Sequence, residues 1–171
     1  SLPVDLRSRA VVAAFGSPPP SELELKGRQG KLHVLFVGSM TQRKGLADLF
    51  AALKILKRPD VRLSILGSLK MPLEFYLAQL PEFDYISPRA QDEVFRLMNS
   101  ADLLVLPSLV EGCALVQQEA LVHGVPLLVT PNTGGAHLVD EGCTGFTVPI
   151  RSPESLAERI SWCADNRESL S

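Results

Sequence analysis

The chain has 171 residues, 46% hydrophobic and 21% charged, with a mean hydropathy of +0.15, an ordinary globular composition long enough to bury one core. A formal charge of −2 and a pI near 5.9 exclude a general basic field, so nucleic acid is not an expected partner and any anion must be held locally. Three cysteines, Cys113, Cys143 and Cys163, are odd in number and lack metal-ligand spacing, which argues against a disulfide framework or zinc site and for reduced thiols in a cytosolic setting.

Residues 1–30 stand apart from the rest. Ala10-Val11-Val12-Ala13-Ala14-Phe15 reads as a lone strand, and Ser17-Pro18-Pro19-Pro20 with the polar stretch to Gly30 reads as a linker, so residues 1–30 are expected to be the end of a preceding domain and residues 31–171 one domain. No apolar run is long enough to span a bilayer, and Ser1-Leu2-Pro3-Val4-Asp5 lacks a signal pattern.

From Lys31 onward β-rich runs alternate with amphipathic segments. Strands are expected at 32–37, 61–66, around Tyr85-Ile86, at 103–106, 126–129 and 145–148. Helices are expected at 46–56, 73–80, 91–99, 113–122 and 153–163, the last with Ser152 as N-cap and Pro153 in its first turn. This alternation predicts an α/β fold, a Rossmann-like parallel sheet with helices on both faces, whose ligands bind outside the carboxyl ends of the strands.

Two strand–loop–helix junctions carry chemistry. In Glu111-Gly112-Cys113-Ala114-Leu115-Val116-Gln117-Gln118-Glu119 one acid lies at a helix mouth and the other two turns inside, about 12 Å apart along the axis and roughly 80° apart around it at the helical rise of about 1.5 Å per residue. Gly112 lets the amides of 112–115 face an anion at the positive helix end, so a diphosphate fits between the acids. In Gly38-Ser39-Met40-Thr41-Gln42-Arg43-Lys44-Gly45 two cations stand at a strand mouth, where Gly38 permits close backbone approach, Lys44 offers a point charge and Arg43 a forked donor set. Each motif alone also reads as a solvated loop, the basic one more readily than the acidic one: acids favour helix N-termini anyway, and basic turns are common on surfaces. The spacing matches neither a Walker loop nor Gly-x-Gly-x-x-Gly.

Taken in order, the motifs resemble the C-terminal, donor-binding half of a GT-B fold glycosyltransferase, in the large retaining family called family 4, glycosyl transferases group 1. The likeness runs from Leu32 to about Asn166. Val37-Gly38 through Lys44-Gly45 is similar to the family's Gly-Arg-Leu-x-x-x-Lys-Gly loop, Leu66-Gly67 to its second strand end, and Ala101 to Ser108 with Glu111-x7-Glu119-Ala120 to its most specific signature. Gly124-Val125-Pro126-Leu127-Leu128, Thr133-Gly134-Gly135 and Glu141 to Pro149 complete the series.

The resemblance implies that Lys44 contacts the donor diphosphate, Glu119 the ribose hydroxyls and Glu111 the transferred sugar or its phosphate, with Lys44 and Glu111 as the catalytic pair. Amides of Gly112, Cys113, Ala114 and Leu115 would bind the distal phosphate. Gly38, Ser39, Arg43 and Gly67 would complete the phosphate side, and the base would sit by Tyr85, Ile86 and Arg89. Carboxylates suit vicinal hydroxyls, and cations and amides suit a leaving diphosphate. Ser39 departs from the family's usual phosphate-binding Arg, and His137 from a common Glu; His137 reads as a packing or loop residue. Cys113 is expected to contribute only its amide, and Trp162 and Phe146 to pack rather than stack on a base. No Asp-x-Asp supplies a metal-ligand pair, so no metal cofactor is expected.

The implied activity is retaining transfer of a sugar from a nucleoside diphosphate sugar, UDP- or GDP-linked, to a sugar, lipid-linked or other acceptor. The missing N-terminal domain would hold that acceptor, leaving the isolated chain inactive. A non-catalytic nucleotide-binding or assembly module and a nucleotide-sugar epimerase of the same fold are the alternatives. The expected setting is cytoplasmic, with peripheral association of a longer parent at the inner membrane face left open.

Overall fold

The computed structural model describes residues 30–112 and 115–167, so the readings placed on residues 1–29, on Cys113 and on Ala114 lie outside the described residues. Six strands form one all-parallel sheet in the order β3-β2-β1-β4-β5-β6. They are β1 (Leu32–Val37), β2 (Val61–Leu66), β3 (Asp84–Ile86), β4 (Leu103–Leu106), β5 (Leu127–Val129) and β6 (Gly145–Thr147). The helices are α1 (Leu46–Leu56), α2 (Leu73–Leu77), α3 (Gln91–Ser100), α4 (described from Leu115 to Val122) and α5 (Pro153–Asp165). The expected α/β architecture is the one observed.

A parallel sheet covered on both faces needs strands that are apolar throughout rather than alternating. Leu103, Leu104, Val105 and Leu106 are all buried, as are Leu127, Leu128 and Val129. β1 pairs with β2 from Leu32↔Val61 to Val37↔Leu66 and with β4 at Val34↔Leu103 and Leu35↔Leu104. Crossovers carry the chain outward from β1 to β3 and then, restarting at β4, outward the other way to β6. The loops after β1 and β4 therefore leave neighbouring strands in opposite directions and open a crevice at the carboxyl edge.

Two clasps secure α5, which packs against α1. At the far end of α1, Arg58 Nη2 meets Asp60 Oδ2 at 2.7 Å and Arg58 Nη1 meets Asp165 Oδ1 at 2.6 Å. At the amino edge of the sheet, Arg167 donates to the Gly30 carbonyl at 2.5 Å and to Asp102 Oδ2 at 2.8 Å, and the same oxygen accepts the His33 amide at 2.7 Å. The His33 ring sits between the Ser100 carbonyl and the Ser64 hydroxyl, each at 2.8 Å, and burial holds its pKa below the ordinary value. Ser152 occupies the N-cap position of α5 but does not cap it: its hydroxyl donates to Ser155 Oγ at 2.8 Å, leaving no side-chain bond to the helix amides. Phe146 and Trp162 meet edge to face at 5.1 Å, with Arg159 over the Phe146 ring, the packing role expected for them.

Candidate functional site

The loop after β1 is shaped by close approaches. Gly38 has φ +146°, and a Cβ there would stand 3.4 Å from Lys44 Cε, because the lysine stem lies over the glycine. Gln42–Lys44 forms a 3-10 turn closed by the Gly45 amide on the Gln42 carbonyl at 2.9 Å, with Gly45 at φ +74°. A Cβ on Gly45 would fall 1.9 Å from the Pro107 carbonyl oxygen. The Leu109 amide also donates to the Arg43 carbonyl at 2.9 Å. The loops from β1 and β4 are thus stapled together, and the two cations project from the staple.

Glu111 is where they converge. Lys44 Nζ lies 2.5 Å from Oε2 and Arg43 Nη1 3.3 Å from Oε1, so each carboxylate oxygen has its own cation. The Glu111 and Lys44 side chains are only 12% and 13% exposed, whereas Arg43 is 55% exposed. Burial alone would raise the Glu111 pKa, but the hydrogen bond and charge of Lys44, with Arg43 behind it, outweigh that and hold the carboxyl below its usual range. The Glu111 amide donates to the Asn132 carbonyl at 2.8 Å, and Asn132 Nδ2 donates back to the Leu109 carbonyl at 2.9 Å.

One expectation needs correction. Glu111 stands in the loop before α4, tied by its amide to Asn132, so the helical rise does not set its distance from Glu119. A loop residue answers to its hydrogen-bond partners, not to the helix axis. Glu119 lies in α4, half-buried, and accepts from Gln91 Nε2 at 3.4 Å. Nothing lies within 4 Å of a Cβ built on Gly112, so the backbone there faces open space, and Leu115 beyond it is exposed.

On the other side of the crevice, a Cβ on Gly67 would fall 1.8 Å from the Gly38 carbonyl oxygen. The Gly67 amide donates to the Ile86 carbonyl at 3.1 Å and its carbonyl accepts the Tyr85 hydroxyl at 3.2 Å. The ends of β1, β2 and β3 are thereby linked in a row. Ser39 accepts from the Ser68 hydroxyl at 3.1 Å. Arg89 is exposed and pairs with Glu93 at 3.6 Å, and His137 is exposed in the Ala136–Leu138 turn. The structure thus brings together Gly38, Arg43, Lys44, Gly67 and Glu111, while Glu119 and Arg89 have other partners.

Sequence reasoning missed the supports. Buried Gln117 donates to the Thr133 carbonyl at 3.1 Å and fills the space a Cβ on Gly135 would need. Thr130 Oγ1 donates to the Ser108 carbonyl at 2.5 Å. A glutamine inside an apolar helix pattern was the available signal for the first; Asn132 and Thr130 gave none. An apolar cleft of about 330 Å³ also opens between α1 and α2, lined by Met40, Leu46, Phe50, Met71, Phe75 and Tyr76. Lys70 is the one charged residue in its described lining, whereas the crevice gathers Arg43, Lys44 and Glu111. Among the described residues, no three His, Cys, Asp or Glu side chains cluster as a metal site.

A family model described as glycosyl transferases group 1 matches residues 31–166. The D-inositol 3-phosphate glycosyltransferase of Paenarthrobacter aurescens is 32% identical over 144 residues, covering 78% of this chain and 35% of that protein. Among solved structures, Anabaena Alr3699/HepE in complex with UDP and glucose superposes with a TM-score of 0.73 at 22% identity, over 82% of this chain and 40% of that one. The C-terminal domain of the group 1 protein LpcC of Francisella tularensis superposes with a TM-score of 0.71 at 19% identity, over 89% of this chain and 87% of that domain. The chain spans about a third of the length of the curated relatives it matches.

Proposed function

Because the chain belongs to the glycosyl transferases group 1 family, with the GT-B fold of its structural neighbours, we propose that it forms the nucleotide-sugar half of an enzyme that moves a sugar from a nucleoside diphosphate to an acceptor with retention of configuration. The supporting observation is the convergence of Lys44 and Arg43 on Glu111 at the crevice between β1 and β4. Lys44 and Arg43, with the amides around Gly112 and the start of α4, bind the diphosphate. Glu119 takes the ribose hydroxyls, Glu111 the sugar, and the strand ends at Gly67, Tyr85 and Ile86 border the base. UDP is the first nucleotide to try, since the Anabaena neighbour holds it; GDP is the second. Residues 1–30 join this domain to one that carries the acceptor, and the whole protein works in the cytoplasm, at the membrane face where its acceptor is lipid-linked.

When the sugar leaves, negative charge builds on the diphosphate, and one preorganised donor aimed there is worth about 3 to 4 kcal/mol. Lys44→Ala in the whole enzyme is therefore expected to lower turnover by roughly two to three orders of magnitude, a loss far larger than taking one cation off Glu111, with its modest drop in melting temperature, would produce. In the 171-residue chain it removes calorimetric binding of UDP or GDP. Unchanged nucleotide binding in that variant would sink the assignment.

Ser39 favours one second reading. Its hydroxyl is engaged by Ser68 and supplies no cation, which suits a module that binds nucleotide without turning it over. Donor binding with no transfer or hydrolysis by the longer protein would establish that reading, and product analysis with donor alone would reveal an epimerase.

A further inference from the structure

Resting on that donor-site reading, we propose that Glu111 is an internal competitor for the diphosphate. It holds both cations while the site is empty, releases them to a diphosphate that brings a sugar, and reclaims them once the sugar has gone.

The geometry supplies each part. Glu111 divides its two oxygens between Lys44 and Arg43 at 2.5 and 3.3 Å, so it occupies the place an incoming phosphate needs. The Lys44 stem is held over Gly38 and the ammonium is mostly shielded, so the lysine has little freedom to leave its partner; the partner must move. The backbone on both sides is pinned, by the Glu111 amide on Asn132 and the Arg43 carbonyl under Leu109. The exchange is therefore a rotation of the Glu111 side chain, with no loop rearrangement.

Charge decides the direction. Two cations and one carboxylate leave a net of one positive charge at the cluster, less than the two or more negative charges of a diphosphate. Glu111 thus opposes any diphosphate twice, by neutralising the cations and, when displaced, by standing beside the anion. A displaced carboxylate needs donors, and sugar hydroxyls provide charge-assisted ones. A nucleoside diphosphate stripped of its sugar provides none. The penalty therefore falls more heavily on the product than on the donor, a repulsive element that creates discrimination and favours product release.

The test is calorimetry on the 171-residue chain and its Glu111→Gln, Glu111→Asp and Lys44→Ala variants, with inorganic pyrophosphate, UDP and UDP-glucose as probes and thermal melts to verify folding. Glu111→Gln is expected to bind pyrophosphate and UDP about tenfold more tightly, roughly the effect of removing one close like charge. UDP-glucose should gain less, so that the preference for the sugar-bearing probe narrows. Glu111→Asp, with its charge drawn back by one methylene, falls between. Suppose the parent binds, Lys44→Ala does not, and Glu111→Gln binds pyrophosphate and UDP equally or more weakly: the competitor role is then overturned and the donor site stands. Suppose no form binds any probe, or Lys44→Ala binds as well as the parent: the donor site itself is then wrong, and the competitor with it.

Discussion

Gly67 and Gly112 both lie in the crevice and owe their lack of a side chain to different causes. At Gly67 the protein itself leaves no room, since a Cβ would strike the Gly38 carbonyl oxygen, a backbone atom. At Gly112 the protein leaves open space. Gly67→Ala is expected to cost about 2 to 3 kcal/mol in urea unfolding, the range of overpacking, and to weaken diphosphate binding by shifting Gly38. Gly112→Ala should leave stability unchanged. Glu111 adds a pH dependence. Its folded pKa is depressed, so its stabilisation is present above the unfolded-state value and is lost as pH falls through the folded one. The parent should melt above Glu111→Gln near neutrality, and the difference should vanish at pH values below the usual carboxylate range. Lys44 and Glu111 stood out in the sequence as residue types at strand mouths. Their contact did not, because it joins positions 67 apart and depends on β1 lying beside β4.

Elements were legible where one physical requirement dominated. A strand buried on both faces is apolar wherever no polar side chain finds partners, so β4 was readable from end to end, β1 everywhere but at His33, and α1 showed its helical spacing. Ends were less legible. The helix expected over 73–80 stops at Leu77, where the Ala78, Gln79 and Leu80 amides still turn back onto Glu74 and Tyr76, a loosening without its own sequence period. The 3-10 turns at Gln42–Lys44, Pro131–Thr133 and Ala136–Leu138 are too short for periodicity, yet the first aims both cations. The clasp of α5 was equally invisible, since Arg167 reaches strands far away in sequence. Arg167→Ala removes charge-assisted bonds to Asp102 and Gly30 and is expected to destabilise by about 2 kcal/mol. Cys163, fully buried in α5 with its thiol pushed up to about 12, reports the loss: site-resolved iodoacetamide labelling should quicken by about thirtyfold in the variant if opening governs the reaction. An unchanged rate would mean the clasp does not hold the helix.

At the scale of the molecule, the sheet order opens one crevice along the carboxyl edge, and the chain spans about a third of its curated relatives. The 171-residue chain is therefore expected to bind a nucleoside diphosphate sugar and transfer nothing; incubation with UDP-glucose and analysis of the products checks this, and sugar transfer by this chain alone would refute it. The Arg167 contact with Gly30 has a mechanical consequence. The described unit is entered and left at a single doorway, at the amino ends of the strands and about 20 Å, the length of six-residue β1, from the edge where the cations sit. The clasp and the cations thus load opposite ends of one strand, and a disturbance at the doorway reaches the crevice only through the length of β1.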